Sequence, residues 1–482
     1  MAKEVSPGVK ALRKVVEDVY ADARKAHAEG KLVGWSSSKF PCELAEAFDL
    51  NVMYPENQAA GIAANRDGEI MCKAAEELGY DNDICGYARI SLAYAAGKRA
   101  SRKFDPETLE YIIDPKSGKP LKDENGKVII DEATGKPKKD PKTMKPYTVL
   151  VDIHEIEALP DGPLKDKYWA SIKPYRQMRI PQPDFVLCCN NICNCMTKWY
   201  ENIARMCNIP LIMIDIPYNN TVEVHDSNVA YVRAQFDNAI HQLEKLTGKK
   251  FDEEKFNRAC ANANRTASAW LRVCDYLQYK PAPYSGFDLF NHMADIVTAR
   301  GKVQAAEAFE LLEKDLEQAI KEGTTTTPFP EKYRVMFEGI PCWPKLPNLF
   351  KPLKANGVNV TAVVYAPAFG FVYDDLDGMA RAYYKAPNSV CIEQGVDWRE
   401  GICRDNKVDG VLVHYNRSCK PWSGYMAEMQ RRFTDDLGVP CAGFDGDQAD
   451  PRNFNEAQYE TRVQGLVEAM EQNAKNKAAK EG

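Results

Sequence analysis

Two stretches of this chain follow the same order of strand, loop, helix and strand. In the first, an apolar run over 184–189 leads into an Asn-containing loop with Cys193. A helical segment over 196–206 and a second apolar run over 210–216 follow. Consecutive strands joined by a helix pair in parallel, and parallel sheets are covered by helices on both faces. This stretch therefore predicts a strand–helix–strand unit of an α/β fold.

The second stretch repeats that order near the C-terminus. An apolar strand over 410–415 is followed by an Asn-containing loop with Cys419, a helix, and a strand over 441–444 that again follows a proline. Two copies of one unit predict two related parallel-sheet domains. The other elements predicted from apolar periodicity are helices over 7–30, 42–50 and 70–79, a strand over 31–35, a mostly helical region over 226–325, and strands over 333–338 and 360–366.

The predicted organisation has three parts and one insertion. The parts are an N-terminal α/β domain (1–240), a helical segment (241–325) and a C-terminal α/β domain (326–482). Residues 101–150 are rich in Lys, Asp, Gly and Pro, and the ten residues at 111–120 are repeated with changes at 128–137. This β-prone repeat predicts a surface insertion of β-hairpins. A solvated appendage is the simpler role for it, and contact with a partner subunit or a charged ligand is the alternative.

The composition excludes several classes of protein. Hydrophobic residues make up 44% of the 482 residues, so the chain can bury a core and is not disordered throughout. The formal net charge of −6 argues against nucleic acid or an anionic membrane as a partner. No window approaches about 18 uninterrupted apolar residues, and residues 1–7 lack the apolar core of a secretion signal. We therefore expect a cytoplasmic protein without a membrane span.

The cysteines carry the most informative chemistry. There are 15 of them, and such richness in a large cytoplasmic chain points to metal binding, catalysis or buried thiols rather than to disulfides. Cys193 and Cys419 occupy equivalent places just past a strand, where open parallel sheets bind their ligands. Cys85 likewise precedes a predicted helix. Because a helix start lowers the pKa of a thiol, we expect Cys193 and Cys419 to be low-pKa thiols, with Cys85 as a third candidate.

Three thiolates from separate loops could hold an iron–sulfur cluster. Such clusters normally take four thiolates, so three would leave one iron open for water or a substrate oxygen. The four cysteines within 188–195 match neither ferredoxin nor zinc-ribbon spacing, so spacing alone does not establish a cluster. A zinc site and plain buried thiols are the alternatives. Cys188 and Cys189 lie in the predicted strand and are expected in the core. Spacing does not distinguish Cys193 from Cys195.

A second polar cluster follows the first predicted strand. Three serines at 36–38 precede Pro41, so their hydroxyls and the nearby N–H groups are placed either to bind a polar ligand or to cap a helix. Glu56 is expected in a loop, as either a surface or a functional carboxylate.

The histidines and glycines narrow the classes of enzyme. None of the six histidines has metal-ligand spacing, and the chain has neither a dinucleotide fingerprint nor a phosphate-binding loop. A Cys–His hydrolase is left as an alternative, because His414 lies on the predicted strand five residues before Cys419. No histidine lies near Cys193 in the sequence.

Five motifs of this chain resemble the 2-hydroxyacyl-CoA dehydratase family, which also includes benzoyl-CoA reductase subunits. They are Gly-Trp-Ser-Ser-Ser-Lys-Phe-Pro-Cys-Glu-Leu at 34–44, Tyr-Pro-Glu-Asn-Gln-Ala-Ala-Gly-Ile-Ala-Ala at 54–64, Asn-Asp-Ile-Cys-Gly-Tyr-Ala-Arg at 82–89, Cys-Cys-Asn-Asn-Ile-Cys-Asn-Cys at 188–195 and His-Tyr-Asn-Arg-Ser-Cys-Lys-Pro-Trp at 414–422. The resemblance extends over essentially the whole chain, including the insertion.

This resemblance implies two flavodoxin-like domains with a [4Fe–4S] cluster between them. The cluster cysteines of the family correspond to Cys85, Cys193 and Cys419 of this chain. A family serine and glutamate near the substrate correspond to the two residues Ser38 and Glu56, with Ser37 as a rival for the serine.

The resemblance also implies partners. The chain is expected to be the α subunit of a heterodimer with a β subunit, and a separate ATP-dependent iron–sulfur activator protein is expected to deliver one electron. A flavin, either FMN or riboflavin, is associated with this branch of the family, although the sequence contains no flavin motif.

The implied reaction is a radical dehydration of a 2-hydroxyacyl-CoA. The proton to be lost is on Cβ, which the thioester does not acidify. One-electron reduction by the cluster gives a ketyl radical anion, which expels the α-hydroxyl and makes the β-proton far more acidic. The expected reaction converts (R)-2-hydroxyglutaryl-CoA into (E)-glutaconyl-CoA and water. The alternatives are another 2-hydroxyacyl-CoA, such as lactoyl-CoA or phenyllactoyl-CoA, and a noncatalytic electron-transfer subunit.

Overall fold

The computed structural model of the protein describes residues 5–173, 179–387 and 389–481. Residues 1–4, which belong to the segment examined for a secretion signal, lie outside the described residues. The strands are β1 (Val33–Ser36), β2 (Asn51–Met53), β3 (Lys98–Arg102), β4 (Thr148–Asp152), β5 (Phe185–Cys189), β6 (Leu211–Ile214), β7 (Tyr333–Glu338), β8 (Val358–Val363), β9 (Gly410–Asn416) and β10 (Cys441–Gly446).

Helices surround these strands along the whole chain. They are α1 (Pro7–Ala28), α2 (Cys42–Ala47), α3 (Pro55–Ala64), α4 (Gly68–Glu77), α5 (Gly86–Ala95), α6 (Ile153–Glu157), α7 (Pro163–Ser171), α8 (Asn194–Cys207), α9 (Asp226–Thr247), α10 (Glu253–Asp275), α11 (Gly286–Thr298), α12 (Val303–Glu322), α13 (Leu346–Ala355), α14 (Leu376–Tyr384), α15 (Ile392–Asp405), α16 (Lys420–Ser423), α17 (Met426–Leu437) and α18 (Glu456–Glu481). Within the described ranges, no helix is both long and apolar enough to cross a lipid bilayer.

Two parallel four-stranded sheets form the cores of the molecule. Their strand orders are β2–β1–β5–β6 and β8–β7–β9–β10, with every neighbouring pair parallel. In both sheets the first strand lies between the second and the third, which is the flavodoxin-like order, and the direction of winding reverses between the first and third strands. The carboxyl ends of β1 and β5, and of β7 and β9, are therefore the places where ligands are expected.

The predicted α/β fold with two related sheets is confirmed. The two copied stretches form β5–α8–β6 and β9–α17–β10, as predicted. Strand β2 has only three residues, too few for a periodic pattern, and sequence reasoning missed it. Strand β8 begins two residues before the predicted start, because the buried Asn359 interrupts its apolar run. The predicted domain boundaries after residues 240 and 325 remain predictions.

The predicted helical region joins the two sheets. Helix α9 packs on β6, and α10 packs against α12 and α2. The N-terminal helix α1 packs along α12 and α11, because Leu12, Val15 and Val19 recur on one of its faces and are buried there.

The predicted hairpin insertion is confirmed as an antiparallel ribbon. It is anchored by β3 and β4, which pair in register from Lys98 with Asp152 to Arg102 with Thr148. Beyond them the ribbon continues through single bridges such as Phe104 with Tyr111, Ile113 with Pro146, Lys122 with Val128, and Ile130 with Pro137. The two Gly-Lys-Pro repeats thus form strand edges and turns at the surface.

A buried ion-pair network ties the N-terminal half to the C-terminal half. Arg89 of α5 is fully buried, and one of its terminal nitrogens (Nη1) lies 2.8 Å from Glu76 of α4 and 3.1 Å from Asp450, which follows β10. Arg452 pairs with the same two carboxylates. Close to this network, a Cβ on Gly68 would lie 2.1 Å from the carbonyl oxygen of Ala449, so only glycine lets the two halves approach this closely.

Replacing Gly68 with alanine should therefore weaken the contact between the halves. The added methyl group forces α4 away from the segment after β10, and overpacking of this kind costs about 1–3 kcal/mol of unfolding free energy. Urea unfolding measures this loss. The matched control is Gly465→Ala in the exposed part of α18, where nothing lies within 4 Å and the helix should gain about 1 kcal/mol. Equal effects of the two substitutions would contradict the close approach at Gly68.

Candidate functional site

Three cysteines from distant parts of the chain each occupy the residue before a helix. Cys85 precedes α5, Cys193 precedes α8 and Cys419 precedes α16. Cys193 follows β5 and Cys419 follows β9, the third strands of the two sheets. The repeated strand–loop–helix unit thus places one cysteine at the winding reversal of each sheet, and the ion-pair network described above holds the helix that follows Cys85 against the second sheet.

The thiols of these three cysteines influence one another. Burial raises the pKa of Cys193, and the negative charges of Cys419 and Cys85 raise it further. Burial and the charge of Cys85 likewise raise the pKa of Cys419, to about 12. The pKa of Cys85 is raised by a hydrogen bond with Cys195, then by burial and by the charge of Cys195.

The prediction that a helix start gives these thiols low pKa values is therefore wrong. In each case the backbone amide three residues further on, in Ala88, Met196 or Trp422, does lower the thiol pKa, as a helix start should. Burial and mutual repulsion exceed this effect, because thiolates that share a desolvated space destabilise one another. A positively charged group among the sulfur atoms would reverse the balance.

The remaining cysteines of the 188–195 cluster have separate positions. Cys188 and Cys189 are fully buried in β5, which confirms that they belong to the core. Cys195 lies in the first turn of α8, half-buried and in contact with Cys85. Cys193, like Cys85 and Cys419, is the residue before a helix, whereas Cys195 lies within one.

Hydrogen bonds link the residues next to Cys85 and Cys419 directly. The backbone N–H of Gly86 donates to the hydroxyl of Ser418 at 2.9 Å. The amide of Gln448 donates to that hydroxyl at 3.2 Å and to the sulfur of Cys85 at 3.4 Å. These contacts fix the two loops relative to one another, although the loops are more than 300 residues apart in the chain.

Ser38 and Glu56 form a hydrogen-bonded pair beside the cysteines. The backbone N–H and the hydroxyl of Ser38 both donate to one carboxylate oxygen of Glu56, at 2.9 and 2.8 Å. The hydroxyl of Tyr200 lies 2.9 Å from the other oxygen. Glu56 stands at the start of α3 rather than in a loop, and its charge raises the pKa of Cys193, so the carboxylate and the thiol are close.

The three serines are distinguished by their contacts. The hydroxyl of Ser37 accepts a hydrogen bond from the backbone N–H of Cys189 at 3.0 Å and so joins the ends of β1 and β5. The hydroxyl of Ser36 bonds to the carbonyl oxygen of Ser37. Only Ser38 directs its hydroxyl toward Glu56, and it also lines the neighbouring cavity.

A cavity of about 350 Å³ opens beside this pair. Its wall contains Ser38 and Glu56 from the first sheet, Trp343 from the segment after β7, Tyr365 from the segment after β8, and Phe290 of α11. Burial raises the pKa of Tyr365, and the negative charges of Glu56, Cys419 and Cys85 raise it further, so this cavity residue is near the cysteines. Sequence reasoning missed Trp343 and Tyr365, although both follow strands of the second sheet, where ligand contacts are expected.

The hydrolase alternative finds no support at His414. This side chain is fully buried, stacks on Phe444 and places its Nδ1 atom 2.5 Å from the carbonyl oxygen of Ile340. Burial lowers its pKa to about 4. His414 is therefore a core histidine that holds neighbouring strands together.

The three cysteines are of the donor type that an iron–sulfur cluster uses. Within residues 5–173, 179–387 and 389–481, no group of three or more His, Cys, Asp or Glu side chains is arranged to hold one ion. Cys85, Cys193 and Cys419 come from three separate loops and influence one another's pKa. Cysteine thiolates are the usual ligands of such clusters, so these residues fit that group.

The fold and site thus define an α/β protein with two sheets of flavodoxin-like order and three neighbouring cysteines from separate loops. Residues 163–470 match the family described as 2-hydroxyglutaryl-CoA dehydratase, D-component, and the chain belongs to this family. It is 72% identical to the (R)-2-hydroxyglutaryl-CoA dehydratase subunit alpha of Acidaminococcus fermentans over 477 residues, 99% of this chain and 100% of that protein.

Two further relatives have other substrates in their names. The chain is 42% identical to the (R)-phenyllactyl-CoA dehydratase alpha subunit of Clostridium sporogenes, over 95% of this chain and 94% of that protein. It is also 42% identical to the (R)-2-hydroxyisocaproyl-CoA dehydratase alpha subunit of Clostridioides difficile, over 97% and 98% of the two chains.

Removing the hydroxyl of Ser38 should raise the pKa of Glu56. Burial already raises this pKa, while hydrogen bonds from Ser38 and Tyr200 lower it by stabilising the ionised form. In Ser38→Ala one of these bonds is lost, so the carboxyl group should remain protonated to a higher pH. Infrared titration of the protonated carboxyl band measures the change. Ser37→Ala is the control, because its hydroxyl bonds to Cys189 instead, and an equal shift in both variants would contradict the assignment.

Proposed function

We propose that this chain is the α subunit of a 2-hydroxyacyl-CoA dehydratase that converts (R)-2-hydroxyglutaryl-CoA into (E)-glutaconyl-CoA and water. The observation that carries the proposal is the convergence of Cys85, Cys193 and Cys419 beside a cavity that contains Ser38 and Glu56. The 72% identity to a dehydratase subunit named for that substrate supports the choice of acyl group. Two other relatives are named for (R)-phenyllactyl-CoA and (R)-2-hydroxyisocaproyl-CoA, so the alternative substrate is another 2-hydroxyacyl-CoA.

The cofactor in this proposal is a [4Fe–4S] cluster held by Cys85, Cys193 and Cys419. Three protein thiolates leave one iron without a protein ligand. When bound, such a group would supply one-electron reduction of the thioester, which would allow the α-hydroxyl to leave and would make the proton on Cβ acidic. A flavin, FMN or riboflavin, is a further cofactor that this branch of the family suggests for the holoenzyme.

The residues of the chain prepare the substrate for this chemistry. The hydroxyl of Ser38 lies against Glu56 at the wall of the cavity, where it can orient an oxygen of the acyl group. Burial raises the pKa of Glu56, which brings this carboxyl group closer to the pH at which it can exchange a proton. The aromatic side chains of Phe290, Trp343 and Tyr365 narrow the cavity and exclude water, which protects a radical from side reactions.

The partners in the proposal are a β subunit and an ATP-dependent iron–sulfur activator protein. The relatives named as alpha subunits support the first of these. We also propose that the complex acts in the cytoplasm, where low-potential clusters and free thiols persist.

Substituting single cysteines tests the cofactor assignment. Cys193→Ala should lose iron, sulfide and dehydration of (R)-2-hydroxyglutaryl-CoA together, because a cubane cannot be held by the two remaining thiolates. Cys195→Ala is the matched control, since it changes a neighbouring half-buried thiol on the same helix, and it should retain all three. The measurements are anaerobic iron and sulfide analysis and turnover with the β subunit and the activator present.

The outcomes also separate the alternatives. Loss of the cluster in Cys195→Ala with retention in Cys193→Ala would mean that Cys195, and not Cys193, is the cluster ligand. A cluster whose visible spectrum does not respond to acyl-CoA, in a heterodimer without turnover, would support a noncatalytic electron-transfer subunit and overturn the proposal.

A further inference from the structure

Tyr365 is a polar residue in the wall of the cavity, and the proposed function uses its ring but gives no role to its hydroxyl group. It follows β8, and it shares the cavity with Ser38 and Glu56. Its pKa is raised by burial and then by the charges of Glu56, Cys419 and Cys85. The Tyr365 hydroxyl is therefore near the Glu56 carboxylate and near two of the cysteines proposed to hold the cluster.

The ring of Tyr365 is held rigidly. It meets Phe369 edge-on with ring centroids 5.8 Å apart, and it meets Trp422 edge-on at 5.9 Å. Trp422 belongs to α16, the short helix that begins after Cys419. The position of the Tyr365 hydroxyl is thus set by the same turn that positions the cysteine.

Tyr87 is a neighbour of the Tyr365 hydroxyl. The indole N–H of Trp343 donates to the hydroxyl oxygen of Tyr87. Because an indole nitrogen can only donate, the Tyr87 oxygen is the acceptor in this bond. Tyr87 and Tyr365 each change the pKa of the other, so their hydroxyl groups lie near one another.

The consequence is a phenol hydroxyl in the wall of the cavity. Tyr365 lines the same wall as Ser38 and Glu56, and its ring is fixed by its edge-on contacts with Phe369 and Trp422. A hydroxyl held in this way in a half-buried wall is suited to donate a hydrogen bond to a ligand oxygen.

We propose that the hydroxyl of Tyr365 donates a hydrogen bond to the α-hydroxyl oxygen of the acyl-CoA in this cavity. The inference rests on the proposed function, which supplies the substrate. The acyl group carries two oxygens near the reacting carbon, and Ser38 and Tyr365 are two hydroxyl groups in one wall of the cavity, so we assign the α-hydroxyl oxygen to Tyr365. The α-hydroxyl oxygen leaves during dehydration, and a donor aimed at it stabilises the charge that develops there.

Binding without turnover tests this contact. The oxidised α–β heterodimer, without activator, is titrated calorimetrically with (R)-2-hydroxyglutaryl-CoA and with glutaryl-CoA, which lacks the α-hydroxyl. Tyr365→Phe should weaken binding of the hydroxyacyl thioester about fivefold, the value of one neutral hydrogen bond of about 1 kcal/mol, and should leave binding of glutaryl-CoA unchanged. Turnover should show a lower kcat in the same variant, with iron content retained.

The matched control is Tyr459→Phe. Tyr459 is also buried and donates one hydrogen bond, to the carbonyl oxygen of Leu349, but it lies in the packing of α18 and not in the cavity wall. It should affect neither thioester. Equal weakening of both thioesters by Tyr365→Phe, or no weakening of either, would overturn the contact. Failure of the unaltered heterodimer to bind either thioester would instead overturn the proposed function.

Discussion

The contact between Gly86 and Ser418 is the constraint on which the site depends. Each residue is the immediate neighbour of a cysteine, and their hydrogen bond of 2.9 Å joins the start of α5 to the loop after β9. The adjacent Gly68 and the pair of Arg89 with Asp450 allow the two halves to approach closely enough for this bond to form. Without this approach, each sheet would retain its own cysteine at its own edge, and the thiols would not meet.

Bringing these groups together has an electrostatic cost. The thiols of Cys193 and Cys419, and the carboxyl group of Glu56, all have raised pKa values because they share a desolvated space. A fold that is optimised only for stability would separate such groups or expose them to water. Their retention in one cleft is understandable if a positively charged inorganic group binds the thiolates and a substrate uses the carboxyl group.

Much of the fold could be predicted from the sequence, because its information is local and repeated. The strand–loop–cysteine–helix pattern occurs twice, and both copies form as predicted, as do the hairpins of the insertion. The helix starts at Cys193 and Cys419 were also predictable, since each cysteine follows an apolar strand. The motif resemblance assigned roles to Cys85, Ser38 and Glu56, which stay predictions, and the family assignment is confirmed.

The features that could not be predicted from the sequence depend on tertiary contacts. Local reasoning assigned low pKa values to the thiols, because a helix start is visible in the sequence whereas burial and a second nearby thiol are not. The different roles of Ser37 and Ser38 depend on whether Cys189 or Glu56 lies opposite, at distances along the chain that spacing does not encode. Trp343 and Tyr365 reach the cavity only because the second sheet faces the first.

The most direct test is whether the four irons of the proposed cluster on this chain are equivalent. Mössbauer spectra of the anaerobic α–β heterodimer, with ⁵⁷Fe confined to the α subunit, should show one iron that differs from the other three. The signal of that iron alone should change when acyl-CoA is added. Four equivalent irons that do not respond to the thioester, or no bound iron at all, would contradict the convergence of three thiolates around an open corner.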